Sequence, residues 1–277
     1  MDFTIEKYKE LLEALKMHKH FGLRHDVDLR PEFSLRVAKV EAKMGMKATY
    51  YFRSMHFASH AEVIKAIVAL GHQAGYHYES LTTCKGDMEA AYEDFCQNLE
   101  RLRALVPVST ACAHGSPRSP YNSQSMWEAS RIQDLSAEPT AHHETTRLVG
   151  RVDGTPQDIH SLGIEYEPML DTDFSKTLYL TDTGRRWDGY RVSVRDKVPQ
   201  YQELWEREGF VFHSTDDIIR ALRNPNHPIH QKELLINTHP QRWMPFGPQW
   251  LTEATLQWWK NIAKRIIVNL NQRTKNL

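Results

Sequence analysis

The chain has 277 residues, with 35 basic and 35 acidic side chains, so its formal charge is zero. That balance argues against a nucleic acid or an anionic membrane surface as the main partner. An apolar share of 40% suffices for a substantial core, and the length suits one large domain over 1–277. The opening Met1-Asp2-Phe3-Thr4-Ile5-Glu6-Lys7 carries acids where a signal peptide carries basic residues before an apolar run. No stretch approaches the length of a membrane span. Cys84, Cys96 and Cys112 are scattered and lack metal-ligand spacing. A reduced cytoplasmic protein without membrane insertion is expected.

Residues 4–19 read as an amphipathic helix, with Tyr8, Leu11, Leu12 and Leu15 on one side. The strand 22–28 follows, and Pro31 opens a second helix from its first turn. Residues 48–52 read as an aromatic-rich strand, and 60–70 as a helix capped by Gly71. A strand over 73–78, a helix over 87–105 and a short strand over 110–113 come next. This strand–helix alternation predicts a parallel sheet with crossover helices.

The stretch 131–176 is loop-rich, with short strands expected near 146–152 and 164–166. Later strands are expected at 176–181, 209–212 and 233–237, with a helix capped by Ser214 or Thr215. A C-terminal helix spans 250–272, with Trp258, Ile262, Ile266 and Leu270 at helical spacing. Trp243, Trp250, Trp258 and Trp259 are expected in the core.

Chemistry-bearing residues gather where these strands end. In Gly22-Leu23-Arg24-His25-Asp26-Val27-Asp28, strand alternation puts Arg24, Asp26 and Asp28 on one face and His25 and Val27 on the other. Two acids on one face repel unless a cation or proton separates them. One carboxylate then binds a metal while the other acts as a base; alternatively Asp28 caps the next helix and Asp26 pairs with an arginine. His77, His114, Asp182 with its arginines, and His239 stand at further strand ends, where ligands gather in parallel α/β folds.

Arg24-His25-Asp26-Val27-Asp28, Gly71-His72-Gln73-Ala74-Gly75-Tyr76-His77, His114-Gly115-Ser116-Pro117, Asp182-Thr183-Gly184-Arg185-Arg186-Trp187 and Thr238-His239-Pro240 follow an ordered pattern. It resembles that of the polysaccharide deacetylases, the NodB-homology group or carbohydrate esterase family 4. More exactly, it is similar to an atypical branch associated with bacterial surface-polysaccharide biosynthesis. The resemblance runs from about residue 20 to 240.

It implies an α/β fold, a distorted (β/α) barrel of about seven parallel strands, and hydrolysis of an acetyl group, usually N-acetyl, from a sugar or polysaccharide precursor. It also implies a divalent metal, expected to be Zn2+. By the same resemblance Asp26 is the general base, Asp28 and His77 are metal ligands, and His239 is the general acid. Asp182 and Arg185 match the place where the family orients its catalytic groups. Trp187, Arg118 and Tyr121 are the expected substrate contacts.

Leu81 departs from the pattern, because the family has its second ligand histidine four residues after the first. His114 or Glu79 must then complete the metal site. A metal-free amidohydrolase of ureide-type amides using Asp26 and His239, and a carbohydrate-binding barrel without catalysis, are the competing expectations.

Overall fold

In a computed structural model, residues 1–116, 119–127, 151–152, 155–188, 193 and 196–275 are described. Strand β1 (Phe21–Val27) is the middle of the fold. It pairs in parallel with β2 (Thr49–Phe52) on one side and β8 (Glu233–Thr238) on the other. Beyond β2 lie β3 (Gln73–Tyr78) and β4 (Ala111–Ala113); beyond β8 lies β7 (Thr177–Thr181). The result is a six-stranded, all-parallel sheet in the order β4-β3-β2-β1-β8-β7, curled into a half-barrel. A separate antiparallel pair joins β5 (Arg151–Val152) and β6 (Thr155–Pro156).

Helix α1 (Ile5–Leu15) precedes β1, and α2 (Pro31–Lys43), α3 (Ala61–Ala69) and α5 (Met88–Arg103) are the crossovers between successive strands. The short α4 (Ser80–Thr83) follows β3, and α6 (Pro168–Asp171) precedes β7. The strands are buried on both faces, although β1 carries Arg24, His25 and Asp26, β3 carries His77 and β8 carries Asn237 and Thr238. One set of alternate side chains, Tyr50, Tyr76 and Tyr78 among them, is buried toward the helices, with the Tyr76 ring tilted against Phe95 of α5 and the Tyr78 ring meeting it edge to face. The opposite set faces the concave side. There Gly75 leaves room for the Tyr51 ring, which an ideal Cβ would approach within 2.5 Å.

Helices α7 (Pro199–Arg207) and α8 (Thr215–Arg223) lie between β7 and β8 in the chain. Of the two caps expected, Ser214 caps α8, and it does so in a reciprocal capping box with Asp217. The C-terminal α9 (Pro248–Lys275) is longer than expected.

Several expectations require correction. Among the described residues the sheet has six strands where about seven are expected, and β4 and β7 are not paired with each other. Residues 209–212 are not a strand. Phe210 and Phe212 are buried, but Gly209 sits at φ +82 and the Phe210 amide donates to Trp205 O, so the segment is the C-terminal closure of α7. The strand expected at 164–166 reduces to one bridge, in which Tyr166 pairs with Thr110 beside the free edge of β4. Trp243 is in the core, whereas Trp258 and Trp259 are exposed. The expected strand residues 146–150 lie outside the described residues.

Candidate active site

Five of the expected site residues converge at the C-terminal ends of the strands. They line one polar cavity of about 210 Å3, together with Arg24, Asn122, Gln124, Lys197 and Arg242. A wider groove of about 1020 Å3, between α1 and α2, is lined by lysines, arginines, glutamates and a few apolar residues. It gathers no histidine among the described residues, so the chemistry belongs to the strand ends.

Asp26 is the last concave-facing residue of β1. Arg24, two residues earlier on the same face, binds it in a fork: Nε donates to Oδ1 and an NH2 group to Oδ2, both at 2.8 Å. Asn237 of β8 adds a hydrogen bond to Oδ2 at 2.9 Å, itself touching the Tyr179 hydroxyl. Burial alone would push the Asp26 carboxyl up, but the Arg24 guanidinium, followed by His77, holds it far below the usual carboxylate range. The arginine pairing anticipated for Asp26 is therefore present, and it leaves the carboxylate facing the cavity.

Asp28 lies just past β1. It does not cap α2, whose N-cap residue Arg30 makes no side-chain cap bond. Its Oδ1 is sealed from solvent yet has no hydrogen-bond partner. His77 Nε2 and His114 Nε2 each stand 3.5 Å from that oxygen, and His239 Nε2 stands 3.6 Å from Oδ2. Burial opposes ionisation of Asp28, and the surrounding histidines overcome it and hold the carboxyl well down.

Each imidazole is fixed through its other nitrogen. His77 Nδ1 donates to Cys112 O at 3.0 Å, across the β3–β4 pair. His114 Nδ1 meets Glu79 Oε2 at 3.0 Å, and Glu79 is anchored by Arg53. Burial pushes Glu79 up, but its hydrogen bonds to His114 and Arg53 bring it down to about 2. With Nδ1 as donor, each Nε2 presents a lone pair.

Asp28, His77 and His114 form a group whose potential ligand atoms all lie within 4.8 Å of one another. Ligand atoms about 3.4 Å apart are what a tetrahedral ion with bonds of about 2.1 Å requires. The 3.5 Å spacings and the orphaned Asp28 oxygen fit such an ion. His114, from the end of β4, brings its Nε2 to the Asp28 oxygen alongside that of His77. Leu81 is buried in the core. Glu79, the other candidate ligand, orients His114 from behind.

His239 follows β8, and Asp182 follows β7. The His239 amide donates to Asp182 Oδ2 at 3.1 Å, and its Nδ1 meets Oδ1 at 2.7 Å. Trp243 Nε1 and Arg242 NH1 also donate to this fully buried carboxylate, at 2.8 and 2.6 Å. The two hydrogens on that Arg242 nitrogen are taken by Asp182 O and Oδ1, so His239 Nδ1, though 2.8 Å away, keeps its own proton for Asp182. Burial would raise the Asp182 carboxyl, but Arg242 and then His239 hold it below the usual range.

Three expected contacts need correction. Arg185 does not reach Asp182: left-handed backbone at Gly184 and Arg185 (φ 73 and 54) carries its guanidinium over the Trp250 ring at 4.5 Å. Arg242 is the arginine that donates to Asp182, and Arg186 pairs with Asp188. Trp187 is 4% exposed, packs on Phe3 and Trp243, and donates to Thr215, so it cannot stack on a sugar. Tyr121 packs against Gly86 away from the cavity, while its neighbour Asn122 lines it. Arg118 lies outside the described residues.

A scan of the chain against protein-family models finds no match, and neither does a search of curated proteins.

Proposed function

We propose that the protein is a metal-dependent hydrolase that removes an acetyl group, as an N-acetyl amide, from a sugar or polysaccharide precursor, in the manner of the polysaccharide deacetylases. One observation carries the reading: Asp28, His77 and His114 present converging ligand atoms beside an ionised Asp26 and a His239 backed by a buried carboxylate. The open parallel half-barrel, with these groups at its strand ends, is compatible with a NodB-type barrel.

Asp28 through its orphaned Oδ1, and His77 and His114 through Nε2, would hold a divalent ion, with Zn2+ suited to this mixed imidazole and carboxylate set. Such an ion supplies acidified water and polarisation of the amide carbonyl. Arg24 and Asn237 fix the orientation of Asp26 and keep it ionised, ready to receive the proton of the attacking water. Their hydrogen bonds also make it a weak base.

His239 keeps a proton on Nδ1 for Asp182 and turns Nε2 toward the site. When protonated, that Nε2 donates to the departing nitrogen, which must leave as an amine. Asn122, Gln124 and Lys197 bring hydrogen-bonding groups to the cavity and suit a hydroxyl-rich substrate.

The test is acetate release from N-acetylated sugars by the untagged protein supplied with zinc, compared with Asp26→Asn. Release by the wild type and its loss by about a thousandfold in the variant supports the reading. No release, or equal release by both, overturns it.

A further inference from the structure

Over the described side chains of helix α9, residues 248–262, polar groups turn inward together with Trp250, and other large apolar groups turn outward. Its polar side faces the body of the protein: Gln257 is buried, and Asn261 receives a hydrogen bond from Gln257 and donates to Gly184 O at 2.8 Å. The contact is close because position 184 is glycine at φ +73, where an ideal Cβ would lie 2.9 Å from Asn261 Oδ1. Arg185 adds a stacked guanidinium over Trp250. The helix is thus fastened to the loop that follows Asp182.

Five large apolar side chains of the segment 246–259 face outward. Phe246, Leu251, Leu256, Trp258 and Trp259 are between 51% and 59% exposed. Leu251 and Trp258 lie seven residues apart, two helical turns on one face, with Trp259 beside them and its ring 4.8 Å from that of Trp258. Large apolar side chains gathered in this way mark a surface that something covers.

Charge identifies the cover. Helix α9 carries Lys260, Lys264, Arg265, Arg273 and Lys275 against a single acid, Glu253. The chain as a whole is neutral, so the remainder is acidic by the same margin. The balance that argued against an anionic surface therefore conceals a cationic helix on an acidic body. Exposed tryptophans beside lysines and arginines, on a helix too polar to span a bilayer, are the composition of a helix lying in the membrane interface. No helix among the described residues is long and apolar enough to cross a membrane. A second copy fits less well, because pairing two such helices would bring like charges together.

We propose that the outer face of α9 docks on an anionic phospholipid surface, with Trp258, Trp259, Leu251 and Leu256 entering the headgroup boundary and the net positive charge of the helix supplying the attraction to lipid phosphates. This docking is independent of the hydrolase reading, since it needs neither the ion nor the substrate.

The test mixes the full chain with phosphatidylcholine vesicles and with mixed phosphatidylcholine–phosphatidylglycerol vesicles, and follows co-sedimentation and tryptophan emission. Binding to the mixed vesicles at low salt, with a blue shift in emission, is expected, as is release at high salt. A Lys260→Gln, Lys264→Gln, Arg265→Gln variant should partition roughly a hundredfold more weakly. A Trp258→Ser, Trp259→Ser variant should lose both binding and shift while keeping its circular dichroism, because both rings are exposed. Absence of binding, or equal binding to both vesicle types, overturns the proposal. So does a dimer by light scattering that dissociates in the tryptophan variant, which would make a second copy the cover.

Discussion

His239 Nδ1 lies 2.7 Å from Asp182 Oδ1, and that contact decides which nitrogen of the imidazole faces the cavity. Asp182 is fully buried and receives donors from His239, Arg242 and Trp243, so the ring can hardly rotate. Replacing Asp182 by Asn should offer the ring an amide hydrogen and favour the wrong tautomer. The expected loss is about 10^4-fold in kcat for acetate release, with the metal content unchanged and the pH profile altered. Arg242→Ala should weaken the same dyad, whereas Arg185→Ala should leave kcat near that of the wild type. Equal losses in the two arginine variants would contradict the assignment of Arg242.

Glu79 touches His114 but is not grouped with the potential ligands. Glu79→Gln should therefore lower the affinity for a divalent ion by about 10–100-fold rather than abolish binding, as a titration with a competing chelator would measure. His114→Ala should abolish it. If Glu79→Gln also removed all bound ion, Glu79 would be a ligand itself.

Trp187 is core, and its substitution should register in stability. Trp187→Ala removes a buried indole packed on Phe3 and Trp243 and should cost about 3–5 kcal/mol in denaturant unfolding. KM of whatever folds should stay near the wild-type value. A raised KM at unchanged stability would return Trp187 to the sugar site.

On the other face of β1, His25 joins a buried network unconnected with the proposed ion. Its Nε2 meets Glu41 Oε1 and its Nδ1 meets Thr238 Oγ1, both at 2.7 Å, and Tyr8 and Tyr50 donate to Glu41. Burial opposes the Glu41 charge, but His25 and the hydrogen bonds hold its carboxyl below the usual value. A depressed carboxylate contributes stability that is present above its unfolded-state value and is lost as the pH falls through the folded-state value. Glu41→Gln should therefore flatten the acid side of the stability–pH curve, and Glu41→Ala should cost about 3–5 kcal/mol at neutral pH. An unchanged acid limb in Glu41→Gln would mean that other carboxylates govern acid unfolding.

What the sequence reveals follows the range of its signals. Strand alternation is local, so the separation of Arg24 and Asp26 from His25 is legible in a seven-residue stretch taken alone. The positions of His77 and His239 at strand ends follow from counting elements. Arg242 is hidden because the choice between arginines depends on backbone direction in two loops: the left-handed turn at Gly184 and Arg185 swings one away, and the turn at Pro240–Arg242 brings the other in. The Phe210 and Phe212 alternation imitates a strand because a helix closure can also bury two phenyl groups. Helical spacing reveals that Trp258 and Trp259 lie on a helix, but which side of it packs inward is set by Asn261 and Gly184, remote from each other in sequence.

The central claim is that Asp28, His77 and His114 hold a divalent ion. It is tested most directly by elemental analysis of untagged protein, wild type and His114→Ala, prepared with added zinc and passed through a desalting column. Stoichiometric zinc in the wild type and its loss in His114→Ala is the predicted result. Wild-type protein that hydrolyses acetylated sugars without bound metal, or a His114→Ala protein that keeps its zinc, would contradict the account.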